Sequence, residues 1–174
     1  MIQQVVYDED DIERFLEVTK QIEAQDEESQ TLRKILNVQN KISILANIEP
    51  SDLKAILFNL KFIKYKRKDI IIEEGDVSQE IFFILSGECQ VFVKKRDVGT
   101  LDSGMTFGES AAIFKSKRNA TVACLSNEAT LLSFSINHDN MEFCANALAN
   151  IYKNLALQIN NKLEEMNSKM TTKK

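Results

Sequence analysis

The sequence predicts a mainly β domain carried between helical flanks, and two observations lead there. All five glycines, Gly75, Gly87, Gly99, Gly104 and Gly108, fall inside one window of the 174-residue chain, and neither flank has any. Glycine marks tight turns and backbone of positive φ, so the middle of the chain is turn-rich. Inside that window short apolar runs alternate with polar residues in the manner of half-buried strands. Outside it, apolar residues recur every three or four positions, the period of a helix.

Taken in order, "DEDDIERFLEVTKQI" sets aspartates ahead of Ile12, Phe15, Leu16 and Ile22, which suits a helix start. "AQDEESQ" then breaks the pattern, which closes an N-terminal helical extension at residues 1–30. Helical spacing resumes with Leu32, Ile35, Leu36, Ile42, Leu45 and Ile48. Pro50 and an N-cap at Ser51 or Asp52 begin a further short helix, so residues 31–60 form a helical lead-in. From 61 to 136 the strand signals follow closely: "KFIKYK", "DIIIEEGD", "EIFFILSG", "CQVFVKKRD", "DVGTLDSG", "MTFG", "NATVAC" and "EATLLSFSI". About eight short strands with frequent turns indicate an all-β sandwich, barrel or jelly roll, with no strand–helix alternation to suggest a parallel sheet. Residues 137–170 lack Gly and Pro and return to helix. The stripe Leu148, Tyr152, Leu155, Ile159, Leu163, Met166 and Met170 packs on the sheet or pairs with a second copy, with Asn160, Asn161 and Lys162 interrupting it as in a dimer seam.

Composition removes several functional classes. The longest apolar runs are only a few residues, such as Ile81–Leu85, whereas a membrane-spanning helix needs about 20 predominantly apolar residues. "MIQQVVYDEDD" has no basic segment followed by an apolar core, so it is not a secretory signal. Three scattered cysteines, Cys89, Cys124 and Cys144, suit idle thiols in a reducing cytoplasm. His138 is the only histidine, which argues against histidine-based triads and metal sites. The net charge of -4 is uneven: residues 1–30 hold ten acids and two bases, the remainder sixteen acids and twenty bases. Neither part is basic enough for a dedicated nucleic-acid surface. Lys64, Lys66, Arg67 and Lys68 read as a solvated strand end, and Lys94, Lys95 and Arg96 as a hairpin tip.

One stretch carries chemistry, "FGESAAIFKSKRNATVA" at 107–123. If Gly108–Ala112 ends a strand and begins a helical turn, the amides of Glu109, Ser110 and Ala111 lack helical partners and suit an anion. Gly108 offers no Cβ to keep a ligand from the backbone. Arg118, nine residues after Glu109, presents a planar fork to two phosphate oxygens. An ionised Glu109 only accepts hydrogen bonds, so its partner is a donor such as a sugar hydroxyl. At this spacing the acid and the arginine are either a surface ion pair or the two ends of a clasp for a ribose phosphate.

The same residues resemble the phosphate-binding cassette of the cyclic-nucleotide-binding domains, F-G-E-x-A followed by two apolar residues, a short linker and R-x-A-[ST]. This chain reads Phe107-Gly108-Glu109-Ser110-Ala111-Ala112-Ile113, then Arg118-Asn119-Ala120-Thr121-Val122. The resemblance spans about residues 42–165 and includes "YKRKDIIIEEGD" and "IFFILSGECQVFV" in the family's order. It implies that residues 31–170 form such a domain, an eight-stranded double-stranded β-helix of jelly-roll type with N-terminal helices and a C-terminal lid helix. It also implies that Glu109 and the Gly108 amide hold the ribose 2′-hydroxyl. Arg118, with Ser110, Ala111, Asn119 and Ala120 beside it, would hold the cyclic phosphate, and Val91 and Val98 would flank the base. Departures are Ser110 and Ala112, smaller than the usual branched residues, Lys117 in place of a common proline, and Asn119, which can bond either purine.

The expected function is therefore a stand-alone cytoplasmic sensor of cAMP, or of cGMP, that relays its ligand state to a protein effector. It is expected to need no metal or other cofactor and to catalyse nothing, since no nucleophile–base pair occurs. No helix-turn-helix domain is expected in the few residues after the lid helix, so direct DNA binding is not expected, nor is a channel domain. Pairing of two copies through the last helix is an expected contact. The alternatives are a β-roll adaptor that binds no ligand, and a regulatory subunit or fragment of a larger assembly.

Overall fold

The computed structural model describes residues 10, 13, 14, 17, 42–49, 52, 53, 56, 60–135 and 145–171. His138, Cys144, Pro50, Ser51 and the 21–40 segment lie outside the described residues. The window rich in glycine folds into eight strands: β1 (Lys61–Lys66), β2 (Ile70–Ile72), β3 (Glu80–Ser86), β4 (Cys89–Val93), β5 (Arg96–Leu101), β6 (Thr106–Phe107), β7 (Thr121–Cys124) and β8 (Glu128–Ser135). A short helix, α1 (Glu109–Phe114), separates β6 from β7, and a long one, α2 (Ala145–Thr171), follows β8. The strands form two antiparallel four-stranded sheets, ordered β1-β8-β3-β6 and β2-β7-β4-β5. This is the predicted jelly roll.

The first sheet has a core on each face. From β3, Ile81, Phe83 and Leu85 join Leu132 and Phe134 of β8 in one cluster with Ile42, Ile44, Leu45, Ile48, Leu53, Ile56 and the α2 residues Ala147, Ile151 and Leu155. From the same strands, Phe82, Ile84, Ala129 and Leu131 face the second sheet and meet Ile72, Cys89, Phe107, Val122 and Cys124. Successive side chains of a strand point to opposite faces, so a strand buried on both sides reads as a continuous apolar run. "IFFIL" is such a run, and β8 is buried on both faces from Ala129 to Phe134 with the polar Thr130 and Ser133 included, which corrects the expectation of half-buried alternation for these two strands.

The turns follow from local chemistry. Lys94 and Lys95, with φ of 49° and 63°, form a two-residue hairpin turn between Val93 and Arg96, the φ-positive geometry that matches strand twist. The lysine amide bonds outward too, as Lys94 N–H donates to Glu74 at 2.7 Å. A bulge between Val91 and Phe92 leaves Val98 without a partner on the opposite strand, and β5 is exposed along nearly its whole length.

Helix α2 buries a face slightly rotated from the predicted stripe. Ala147, Ile151, Asn154 and Leu155 are buried, Leu148 and Tyr152 half-buried. Leu157, Ile159 and Leu163 are exposed. The buried polar residue is Asn154, whose amide donates to the carbonyls of Ile44 (3.1 Å) and Ala46 (2.8 Å), fixing the helix against the Ser43–Leu45 turn.

Candidate functional site

The cassette lies where β6 passes into α1. Gly108 caps the helix in the left-handed region (φ 83°), and no side chain caps it. A Cβ at Gly108 would stand 2.5 Å from Arg118 Nη1 and 2.8 Å from the Glu80 carbonyl oxygen, so no other residue fits without displacing the guanidinium. The short α1 leaves the amides of Glu109, Ser110 and Ala111 without helical acceptors, and the first helical bond runs from Ala112 N–H to Gly108 O at 3.4 Å.

Arg118 enters β7 from a backbone clamp. Its N–H donates to Asp76 O (2.7 Å) and its carbonyl accepts from Gly75 N–H (2.8 Å), so the β2–β3 turn sets where the side chain begins. The Arg118 side chain is 1% exposed. Nε donates to Ser78 Oγ (3.1 Å), Nη1 to Gly108 O (3.0 Å) and Nη2 to Glu80 O (2.8 Å). A guanidinium has five N–H donors, and these bonds take one from each nitrogen, leaving one on Nη1 and one on Nη2. The Glu80 carboxylate stands 3.5 Å from Nη2. Burial lowers the Arg118 pKa from its usual value while Glu80, Asp76 and Glu109 oppose the shift. An arginine starts so far above neutrality that it stays charged.

Glu109 is also buried, and its partner is Lys162 of α2, whose ammonium lies 2.6 Å from Oε1. Lys162 donates as well to the carbonyl of Thr106, the first residue of β6. Thr106 is fully buried, and its hydroxyl donates to Gln158 Oε1 (2.7 Å), while Gln158 Nε2 donates to Ser43 Oγ (2.6 Å). Glu109 and Arg118 are therefore brought to one cassette but bond to different partners.

The other predicted residues divide. Ala111 is buried, Ser110 and Ala120 are half-buried, and Asn119 is exposed. Val91 is half-buried against the core between the sheets, opposite Val122 and Gly99. Val98 is 59% exposed in the β5 bulge, and no described contact joins it to the cassette. Sequence reading missed Ser78, Glu80, Thr106, Gln158 and the role of Lys162. For the last two a signal existed: Asn154, Gln158 and Lys162 step by four and share one helix face. Lys162, read as an interruption of the apolar stripe, bonds to the cassette. Among the described residues no group of three or more His, Cys, Asp or Glu could hold a metal, and no helix is long and apolar enough to cross a membrane.

Comparison with known proteins bears on the fold that carries this cassette. Residues 62–143 match the cyclic nucleotide-binding domain family. The cGMP-dependent protein kinase of Toxoplasma gondii is 30% identical over 88 residues, covering 51% of this chain and 9% of the kinase. The human potassium/sodium hyperpolarization-activated cyclic nucleotide-gated channel 3 is 29% identical over 97 residues, covering 56% of this chain and 12% of the channel. The chain thus spans only about a tenth of these relatives. In fold it is similar to the Thermus thermophilus catabolite activator protein (TM-score 0.57, 20% identity, 75% of this chain and 62% of that one). It is likewise similar to the regulatory domain of Toxoplasma gondii protein kinase A solved with cAMP (TM-score 0.51, 20% identity, 63% of this chain and 43% of that one). Residues 62–143 thus carry the signature of a cyclic nucleotide-binding domain, and the β-roll they lie in has the fold of those solved structures.

Proposed function

We propose that the β-roll binds a purine ribose 3′,5′-cyclic monophosphate, cAMP in the first place and cGMP as the alternative, and acts as a sensor. One observation carries the reading: Gly108 admits the Arg118 guanidinium directly beneath the turn that presents Glu109. In that arrangement a carboxylate able to accept from a hydroxyl and a guanidinium able to donate to a phosphate belong to one cassette. In this reading Glu109 and the Gly108 amide take the 2′-hydroxyl. The two remaining Arg118 donors take the phosphate, with Ser110, Ala111, Asn119 and Ala120 around it. Val91 lines the base side; the placement of Val98 lends its base-flanking role no support. Residues 31–170 constitute the binding domain and 1–30 an acidic extension.

The sensor passes its state to a protein effector through α2, whose outer residues Leu157, Ile159 and Leu163 are exposed, and a second copy is the simplest such partner. It performs no catalysis of its own and works in the cytoplasm, where cyclic mononucleotides signal. Calorimetric titration with cAMP, cGMP and a cyclic dinucleotide tests the ligand class. Saturable 1:1 binding of a cyclic mononucleotide, and none of the dinucleotide, is the expected result.

A second reading has its own support. Arg118 and Glu109 already have protein partners, in Ser78, Gly108 and Glu80 for one and Lys162 for the other. A β-roll adaptor that keeps the cassette for its own cohesion would look the same, and in the titration it would bind none of the three compounds. A regulatory subunit of a larger assembly would bind them but act only in that assembly.

A further inference from the structure

The bond between Lys162 and Glu109 reaches from the far half of α2 to the centre of the cassette. The ammonium meets Glu109 Oε1 at 2.6 Å and also the Thr106 carbonyl, so it is held at two points. Only one carboxylate oxygen is used in this bond, and a carboxylate has acceptor positions on both. The Lys162 and Glu109 side chains are 25% and 11% exposed, so this pair is screened by water far less than a surface pair.

Among the described residues, the rest of the outer helix has little apolar hold on the roll. After Leu155, Leu157, Ile159 and Leu163 are 54%, 42% and 54% exposed. Gln158 and Lys162, one turn apart, reach back to Thr106 and Glu109. Asn160 bonds within the helix to Glu164.

We propose that Lys162 is a positioning residue of the ligand site. It fixes one oxygen of Glu109, aims the other at the ribose hydroxyl, and thereby makes the hold on outer α2 depend on that hydroxyl. The proposal rests on Glu109 being the hydroxyl acceptor. Coupling of this kind is reciprocal: if Lys162 strengthens the hydroxyl contact, the hydroxyl strengthens the Lys162 contact to the same extent. A lysine that merely tethered the helix would have no dependence on that one ligand atom.

The test is a ligand–mutation cycle on the full chain, with cAMP and 2′-deoxy-cAMP titrated against the unmodified protein, Lys162→Met and Lys162→Arg. Lys162→Met is expected to weaken cAMP by about tenfold to a hundredfold, the range for a hydrogen bond to a charged group. Binding of 2′-deoxy-cAMP should be nearly unchanged, and Lys162→Arg, which keeps a cation, should restore most of the cAMP affinity. Hydrogen exchange supplies the reciprocal readout: amides of residues 156–168 should be protected more by cAMP than by 2′-deoxy-cAMP in the unmodified protein. Equal weakening of both ligands by Lys162→Met, or equal protection of α2 by both, would make Lys162 a tether and overturn the proposal. Tighter cAMP binding in Lys162→Met would make it a competitor and overturn it as well. If the unmodified protein binds neither compound, the reading of Glu109 fails and this inference with it, an outcome distinct from binding without a hydroxyl-dependent effect.

Discussion

Gly108 has a φ of 83°, and the space a Cβ would need is taken by the Arg118 guanidinium and the Glu80 carbonyl. Its identity was legible in the sequence because only glycine serves both demands at once. The Glu109 and Arg118 side chains were legible for a related reason: acid and guanidinium are the residue types that recognise a hydroxyl and a phosphate. The Glu80 and Gly108 carbonyls that anchor Arg118 were not, since every residue carries a carbonyl and only the fold says which one faces a given donor. The cysteines were read as idle thiols, and the two that are described fit. Cys89 and Cys124 are buried and face each other across β4 and β7. Burial, and secondarily Cys124, pushes the Cys89 pKa up to about 12. Folding thus favours the protonated thiol. Its stabilising contribution is complete below the ordinary value of 9.0 and is lost as pH rises from there through about 12. Because the thiolate is the nucleophile, Cys89 should resist iodoacetamide at about pH 8 in the folded protein and react in urea. Peptide mass mapping reads this, and rapid labelling of folded Cys89 would contradict its burial.

Among the elements, the strands were the most legible and α2 the least. Turn residues mark where β strands stop, and the charged tip at Lys94–Arg96 is a hairpin turn as expected. The sandwiching of β3 and β8 between two cores was missed, because a short apolar run does not say how many faces are covered. For α2 the apolar stripe was followed and the polar ladder Asn154, Gln158 and Lys162 was not, although it carries the bonds to the Ser43–Leu45 turn, β6 and α1. Asn154 is 6% exposed, and its two bonds to Ile44 and Ala46 satisfy carbonyls beside the first core. Asn154→Leu keeps the branching at Cγ and removes both donors. The expected cost is about 1–3 kcal/mol, the penalty for buried polar groups left unpaired. Urea unfolding should show it as a lower midpoint with an unchanged slope. An unchanged midpoint would mean that α2 is held without Asn154.

At the scale of the whole molecule, two sheets and one long helix converge on a single loop. The β2–β3 turn clamps the Arg118 backbone, β3 receives its guanidinium, β6 and α1 present Glu109, and α2 closes on that acid through Lys162. The jelly roll follows from strand and turn patterning, and the family from the ordered motif, which the match at residues 62–143 supports. The assembly of Lys162 onto Glu109 spans 53 positions and depends on how α2 rotates about its axis, a quantity that spacing along the chain does not fix. The central claim is that this loop binds a cyclic mononucleotide through Arg118. Calorimetric titration of the unmodified protein and of Arg118→Ala with cAMP and with cGMP tests it most directly. Saturable binding by the unmodified protein, weakened more than tenfold by the substitution, a loss of at least about 1.4 kcal/mol, is predicted. Absence of binding to both nucleotides, or equal affinity in the two proteins, would contradict it.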